Sequence, residues 1–111
     1  MENLLLARCM PQREPLPADQ LDDWLAQVPG WQPDPERKLI ARRFGFDNFY
    51  QVMAFVNAVA EIAHAQDHHP EMMVGYDACT VSYSTHSAGG LTLNDFICAA
   101  QVSALPEADA A

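Results

Sequence analysis

The stretch from Phe46 to about His68 limits what this chain can become more than any other. Phe49, Val52, Met53, Val56, Val59, Ala60 and Ala63 recur at steps of three and four, so a helix places them on one stripe. Asp47 is the expected N-cap, because its side chain can accept from a free amide of the first turn. Pro70 forbids continuation: it lacks an amide hydrogen and biases the residue before it away from helical angles. One helix cannot bury its own apolar stripe, so the rest of the chain must supply a second layer.

The flanking segments read as that layer. Lys38 to Phe46 is a strand with Ile40, Arg42, Phe44 and Phe46 on one face, the arginine interrupting an otherwise apolar alternation. Glu71 to Tyr76 is a third strand, preceded in the chain by a short one that begins at Trp31, with Pro33-Asp34-Pro35-Glu36 as a turn. Ala78 to Thr85 is a fourth, with Cys79, Val81 and Tyr83 facing one way and Thr80, Ser82 and Ser84 the other. That alternation predicts a sheet with one covered face and one wetter face. A first helix opens at Pro17 and runs to about residue 28, with Leu21, Trp24, Leu25 and Val28 inward and Pro29-Gly30 ending it. Thr92-Leu-Asn-Asp95 is a capping box opening the last helix, which uses Leu93, Phe96, Ile97, Ala100 and Ala104. The order α-β-β-α-β-β-α predicts an α+β fold, a four-stranded antiparallel sheet with three helices on one face. Residues 1–15 read as an N-terminal arm, 16–105 as the domain and 106–111 as a flexible, frayed tail.

Charge and cysteine content narrow the partners. Fifteen acids against six bases give the 111-residue chain a formal charge of −9, and its only lysine is Lys38. A nucleic-acid backbone or an anionic membrane is therefore not expected as primary partner. No apolar run approaches the roughly 18 residues of a transmembrane helix. The start carries Glu2 and a short apolar run from Leu4, unlike a secretory signal, so a cytoplasmic location is expected. Cys9, Cys79 and Cys98 show no Cys-x-x-Cys spacing and read as buried or inert thiols, with an intermolecular disulfide as the lesser alternative.

The histidines carry the chemistry. Of four, His64, His68 and His69 lie within six residues, and His86 closes the polar strand face. His64 and His68 are four apart and would share a helix face. A hairpin after Pro70 can return His86 to the neighbourhood of His68 and His69. A metal site at His64, His68 and His86 lacks the glutamate that follows the first histidine in zinc peptidases, and no cysteine has ligand spacing. Histidines near a helix C-terminus can also be simple dipole partners. His-His-Pro at a helix end, with a further histidine closing a polar strand face, favours acid–base catalysis, since imidazole exchanges protons near neutrality. Trp31 and Tyr76 could stack on a flat ring, and Ser84 and Thr85 could hydrogen-bond a ligand. Asp95 is explained as a helix cap, and Met72-Met73 as packing.

At these positions the chain resembles the pterin-4a-carbinolamine dehydratase family. The match runs His64-xxx-His68-His69-Pro70, five residues, Tyr76, nine residues, His86, eight residues, Asp95. It extends to Gly30-Trp31, Phe44-Gly-Phe46, Phe49 to Ala60, Ser84-Thr85-His86 and Gly90-Leu91-Thr92, about residues 16–105 in all. The resemblance implies dehydration of a 4a-hydroxytetrahydropterin to quinonoid dihydropterin and water, in support of an aromatic amino acid hydroxylase system and tetrahydrobiopterin recycling. It implies no metal and no organic cofactor. It implies catalytic roles for His68, His69 and His86, and substrate contacts at Asp67, Ser84, Thr85, Ser87 and Trp31. It also implies a homo-oligomer, dimer or tetramer. Ala78 to Thr85 is the candidate pairing edge, and Tyr50 and Phe55, off the helix stripe, a candidate second face. His64 stands where animal members carry an acid, Met72 where an aromatic is common, and Ser87 where a glutamate follows the last histidine. The alternative within the same fold is a non-enzymatic dimerisation, regulatory or assembly partner.

Overall fold

A computed structural model describes residues 3–110. The chain forms helix α1 (Leu21–Leu25), strands β1 (Gln32–Pro33) and β2 (Ile40–Gly45), helix α2 (Phe49–Gln66), strands β3 (Glu71–Val74) and β4 (Ala78–Tyr83), and helix α3 (Leu93–Ser103). This is the expected order. The four strands make one antiparallel sheet in the order β1-β2-β4-β3. Its covered face carries Ile40, Phe44, Cys79, Val81 and Tyr83 against Val52, Phe55, Val59, Phe96, Ile97 and Val102 of the helices. Arg42, which interrupts the strand pattern, lays its guanidinium over the Phe44 ring at 4.5 Å and donates to Ser103 Oγ. The charge thus stays at the sheet margin while its stem covers apolar surface.

Several expectations are corrected in detail. The first helix is shorter than its sequence pattern: a 3₁₀ turn at Ala18–Gln20 leads into five α-helical residues. Strand β4 is central, between β2 and β3, so Ala78 to Thr85 is not a free edge; the edges are β1 and β3. Phe55 is not spare surface either. It is fully buried against Phe44 and Phe46, while Phe49 of the expected stripe is half exposed. The inward face of α2 is therefore rotated toward Val52, Phe55, Val59 and Ala63. Pro106–Ala110 forms a 3₁₀ turn, and Leu105 and Ala108 pack on the core.

The cap of α2 is Asn48 rather than Asp47. Asn48 Oδ1 accepts from the Gln51 amide at 2.9 Å, and Gln51 Oε1 in return accepts from the Asp47 amide. The Asp47 backbone, not its carboxylate, completes the turn. Asn48→Ala should therefore cost about 1 kcal/mol, whereas Asp47→Ala should stay within about 0.5 kcal/mol, as for a surface change. Urea unfolding of both variants separates the two; equal losses would restore Asp47 as the cap.

The other end of α2 sets the site. Asp67 adopts a left-handed conformation (φ 51°), and its amide donates to the carbonyls of Ala63 and His64. The next amide, His68, reaches back to the Ala63 carbonyl at 3.2 Å. This is a Schellman-type closure, with aspartate in the place usually taken by glycine. It stops the helix one turn before the proline could. His68 therefore leaves the helix axis, and His64 and His68 do not share a helix face as their spacing suggests.

Candidate active site

His68 is turned toward the protein interior. Its ring stacks on Tyr83 with centroids 5.8 Å apart and planes 12° from parallel. Its Nε2–H donates to Asp95 Oδ1 at 2.7 Å. Asp95 lies on the first turn of α3 and is completely buried. Its second oxygen, Oδ2, accepts from the Thr92 amide at 2.9 Å and from the Thr85 hydroxyl at 2.8 Å. Thr92 Oγ1 stands 2.7 Å from Thr85 Oγ1 and closes the network. The capping box expected at Thr92 and Asp95 is present, and the same carboxylate also orients a histidine. A buried carboxylate is costly unless its lone pairs are used; this one is held by donors from α3, from the end of β4 and from the turn after α2.

Electrostatics act on His68 in opposite directions. Burial disfavours the imidazolium, while the hydrogen bond and the charge of Asp95 favour it. The attraction exceeds the desolvation, and the pKa of His68 is raised above its ordinary value. The other ring nitrogen, Nδ1, is left as the one with which to meet a ligand.

The remaining site residues divide between adjoining clefts. His68 lines a cavity of about 340 Å³ with Asp67, Thr85, Ser87, Gln66 and Asn94. The roof of this cavity is the N-terminal arm, through Cys9 to Gln12. His69 and His86 line a second cleft with Ser84 and Ser82 on the other side of the strand end. A third cleft, holding Ser84, Thr85 and His86, joins the two. Thr85 faces the first and third, and Ser84 and His86 the second and third. The three histidines thus border neighbouring clefts rather than a single pocket. Each cavity is at the small end of the range for organic ligands, roughly 300–1,000 Å³.

Two expected residues are elsewhere. Trp31 is buried in the core against Phe44 and Tyr83, with its indole N–H donating to Ser103 Oγ at 2.8 Å. Tyr83 lies between it and His68. Tyr76 is exposed beyond β3. Among the described residues no group of three His, Cys, Asp or Glu is placed to hold a metal ion, and no helix is long and apolar enough to cross a membrane.

Sequence reasoning passed over two features. The Asp95–His68 bond was signalled by Asp95 closing the motif, but its capping role explained the residue fully. The Tyr83 stacking surface was read only as core. Of the two readings of the arm, ordered or loose, its described residues favour the first: Leu4 is buried, Met10 exchanges two hydrogen bonds with the Asn94 side chain, Ser87 donates to the Gln12 carbonyl, and the Leu16 amide donates to the Leu91 carbonyl.

Comparison with known proteins agrees with this architecture. A crystal structure described as a transcriptional coactivator/pterin dehydratase from Brucella melitensis superimposes with a TM-score of 0.78 at 32% identity, covering 82% of this chain and 97% of that one. A pterin dehydratase-like protein identified as a RuBisCO assembly factor in the alpha-carboxysome shares the fold at a TM-score of 0.60 and 22% identity, covering 70% and 90% of the two chains. In sequence, a protein of Stenotrophomonas maltophilia (strain R551-3), provisionally named a pterin-4-alpha-carbinolamine dehydratase, is 50% identical over 107 residues, 94% of this chain and 92% of its own. A protein of the same provisional name from Nitrosomonas eutropha is 54% identical over 92 residues, 82% of this chain and 80% of its own. The family profile described as pterin 4 alpha carbinolamine dehydratase matches residues 14–105. With most of its length under that profile and half of its residues shared with such relatives, the chain belongs to the pterin 4 alpha carbinolamine dehydratase family.

Proposed function

We propose that this protein removes water from a 4a-hydroxytetrahydropterin, giving the quinonoid dihydropterin. The observation that carries the reading is His68 held by buried Asp95 at the wall of a polar cleft, in a chain of this family. Hydroxide is a poor leaving group until protonated, and the adjacent ring nitrogen can expel it as water. The raised pKa of His68 favours its protonated form, so His68 acts as the general acid. His86, reached along Ser84 and Thr85, then takes the proton from the ring nitrogen. His69, in the same cleft as His86, orients the pterin. Asp67, Ser84, Thr85 and Ser87 supply polar contacts around it. Neither role calls on a metal or an organic cofactor, since both steps are proton transfers between side chains and substrate. Stopped-flow dehydration of chemically prepared 4a-hydroxytetrahydropterin tests the reading. The protein should accelerate decay well beyond the buffer rate, and an unchanged rate would overturn it.

The oligomer is proposed on the same footing, through a different edge than the sequence suggested. Strand β3 has one unpaired side, and Met73 and Tyr76 are about three-quarters exposed beside it (77% and 76%). Pairing β3 with a second copy would bury both. Light scattering at micromolar concentration should give a multiple of 12.3 kDa, falling on Met73→Lys; a monomer in the unaltered protein would refute it.

A further inference from the structure

Cys9 and Cys98 are 89 positions apart in the chain, yet their sulfurs touch at 3.6 Å. Cys9 sits on the arm and lines the His68 cleft, its amide donating to Gln66 Oε1 at 2.8 Å. Cys98 is buried on α3. Neither thiol has a part in the proposed dehydration. Cys79, buried in the covered face of β4, stands as an internal comparison.

The two sulfurs differ in a way that suits them to consecutive steps. The Cys98 contact lowers the pKa of Cys9 against the opposing effect of burial, and the positive charge of His68 lowers it further. Cys98 is pushed up by the Cys9 contact and by burial. The partly exposed sulfur is thus the easier of the two to ionise, and the buried one already lies in contact with it.

We propose that Cys9 and Cys98 form a reversible oxidation site, in which Cys9 reacts with a hydroperoxide and Cys98 converts the product to an intramolecular disulfide tying the N-terminal arm to α3. In the first step the Cys9 thiolate attacks the peroxide. A sulfur–oxygen bond forms, the O–O bond breaks, and the peroxide leaves as alkoxide, or as hydroxide from hydrogen peroxide, to be protonated by solvent. The sulfur loses two electrons and becomes a sulfenic acid. In the second step Cys98 sulfur attacks Cys9 sulfur, the S–O bond breaks, and hydroxide leaves with the Cys98 proton as water. Two thiols and one hydroperoxide thus give a disulfide, an alcohol and a water. The sulfurs must close from 3.6 Å to the bonded distance of about 2.05 Å. The arm can supply that movement, since around Cys9 it is held by side-chain hydrogen bonds from Gln66 and Asn94 rather than by sheet pairing. The bond would fix the wall of the His68 cleft formed by Cys9 to Gln12.

The test uses the full chain, freed of reductant, exposed to a small excess of hydrogen peroxide, then denatured and alkylated with N-ethylmaleimide. Peptide mass spectrometry should show a Cys9–Cys98 cross-link, loss of alkylation at both positions, and Cys79 alkylated throughout. Dithiothreitol should restore alkylation at both. Cys9→Ser should leave Cys98 and Cys79 alkylatable after peroxide. Cys98→Ala should leave a Cys9 sulfenic acid that dimedone captures. The proposal is overturned if Cys79 oxidises as fast as Cys9, if Cys9 links to a second chain instead, or if Cys98 stays alkylatable while Cys9 is consumed. Should Cys98→Ala fail to fold, the cross-link in the unaltered protein and its absence in Cys9→Ser still decide the matter.

Discussion

Replacing His68 with alanine should slow dehydration by about 10²-fold or more, within the roughly 10²–10⁴-fold that a positioned acid or base contributes. The fold should survive. Asp95 keeps its two donors from Thr92 and Thr85, and the space left by the imidazole opens onto a cleft that water can enter. The pH dependence should change with the rate. The pKa of His68 is raised in the folded protein, so folding is coupled to proton uptake on this residue. Its contribution to stability is fully present below the unfolded value of about 6.5 and is lost as pH rises through the folded value. As general acid it also gives the rate an alkaline limb at that same raised value. His68→Ala should remove both dependences, read by denaturant unfolding across pH 5–9 and by the rate profile. A variant with near-normal rates and an unchanged profile would remove His68 from the mechanism.

How far such a site can be read from sequence depends on which contacts are local. The order of elements was legible because α2, β2 and β4 each carry an apolar period of their own, and the capping box from Thr92 to Asp95 spans only four residues. The rotation of α2 was not legible. Phe49 and Phe55 both have helical spacing to Val52 and Val59, and only the sheet beneath decides which is covered. Asp47 and Asn48 are both good capping residues, and the choice rests on one backbone angle. The helix was read through His68 because Pro70 is the strong stop signal and a left-handed aspartate carries none. Within the site, the spacing motif singled out His68, His69 and His86, while Asp95 was explained as a helix cap. It could not show that His68 and His86 look into adjoining clefts. Nor could it show that an arm 57 residues from Gln66 and 84 from Asn94 in sequence roofs one of them. The 89-residue separation of Cys9 and Cys98 hides their contact for the same reason.

Asp95 is where fold and chemistry are least separable, and its substitutions should have the other large effect. Asp95→Ala removes a helix cap, worth about 1 kcal/mol, and leaves His68, the Thr85 hydroxyl and the Thr92 amide without their acceptor in a fully buried position. Each buried donor left without its acceptor costs about 1–3 kcal/mol, so the three together cost about 3 kcal/mol or more. That is a large part of the 5–15 kcal/mol of a typical domain. At about 4–8 °C per kcal/mol for a chain of this size, the melting temperature should fall by roughly 15 °C or more. Asp95→Asn separates the positioning role from the structural one. Its amide oxygen can still accept from Thr92 and Thr85, so most of the cap is kept. Its NH₂ group then faces Nε2–H of His68, donor against donor. The imidazole must lose that proton or turn away, and the favourable charge is gone in either case. His68 then holds its proton less tightly, and the alkaline limb of the rate profile should move to lower pH. Activity should fall much more at pH 8 than at pH 6, a pattern that loss of stability alone does not produce. A uniform fall across that range would leave Asp95 a helix cap and nothing more.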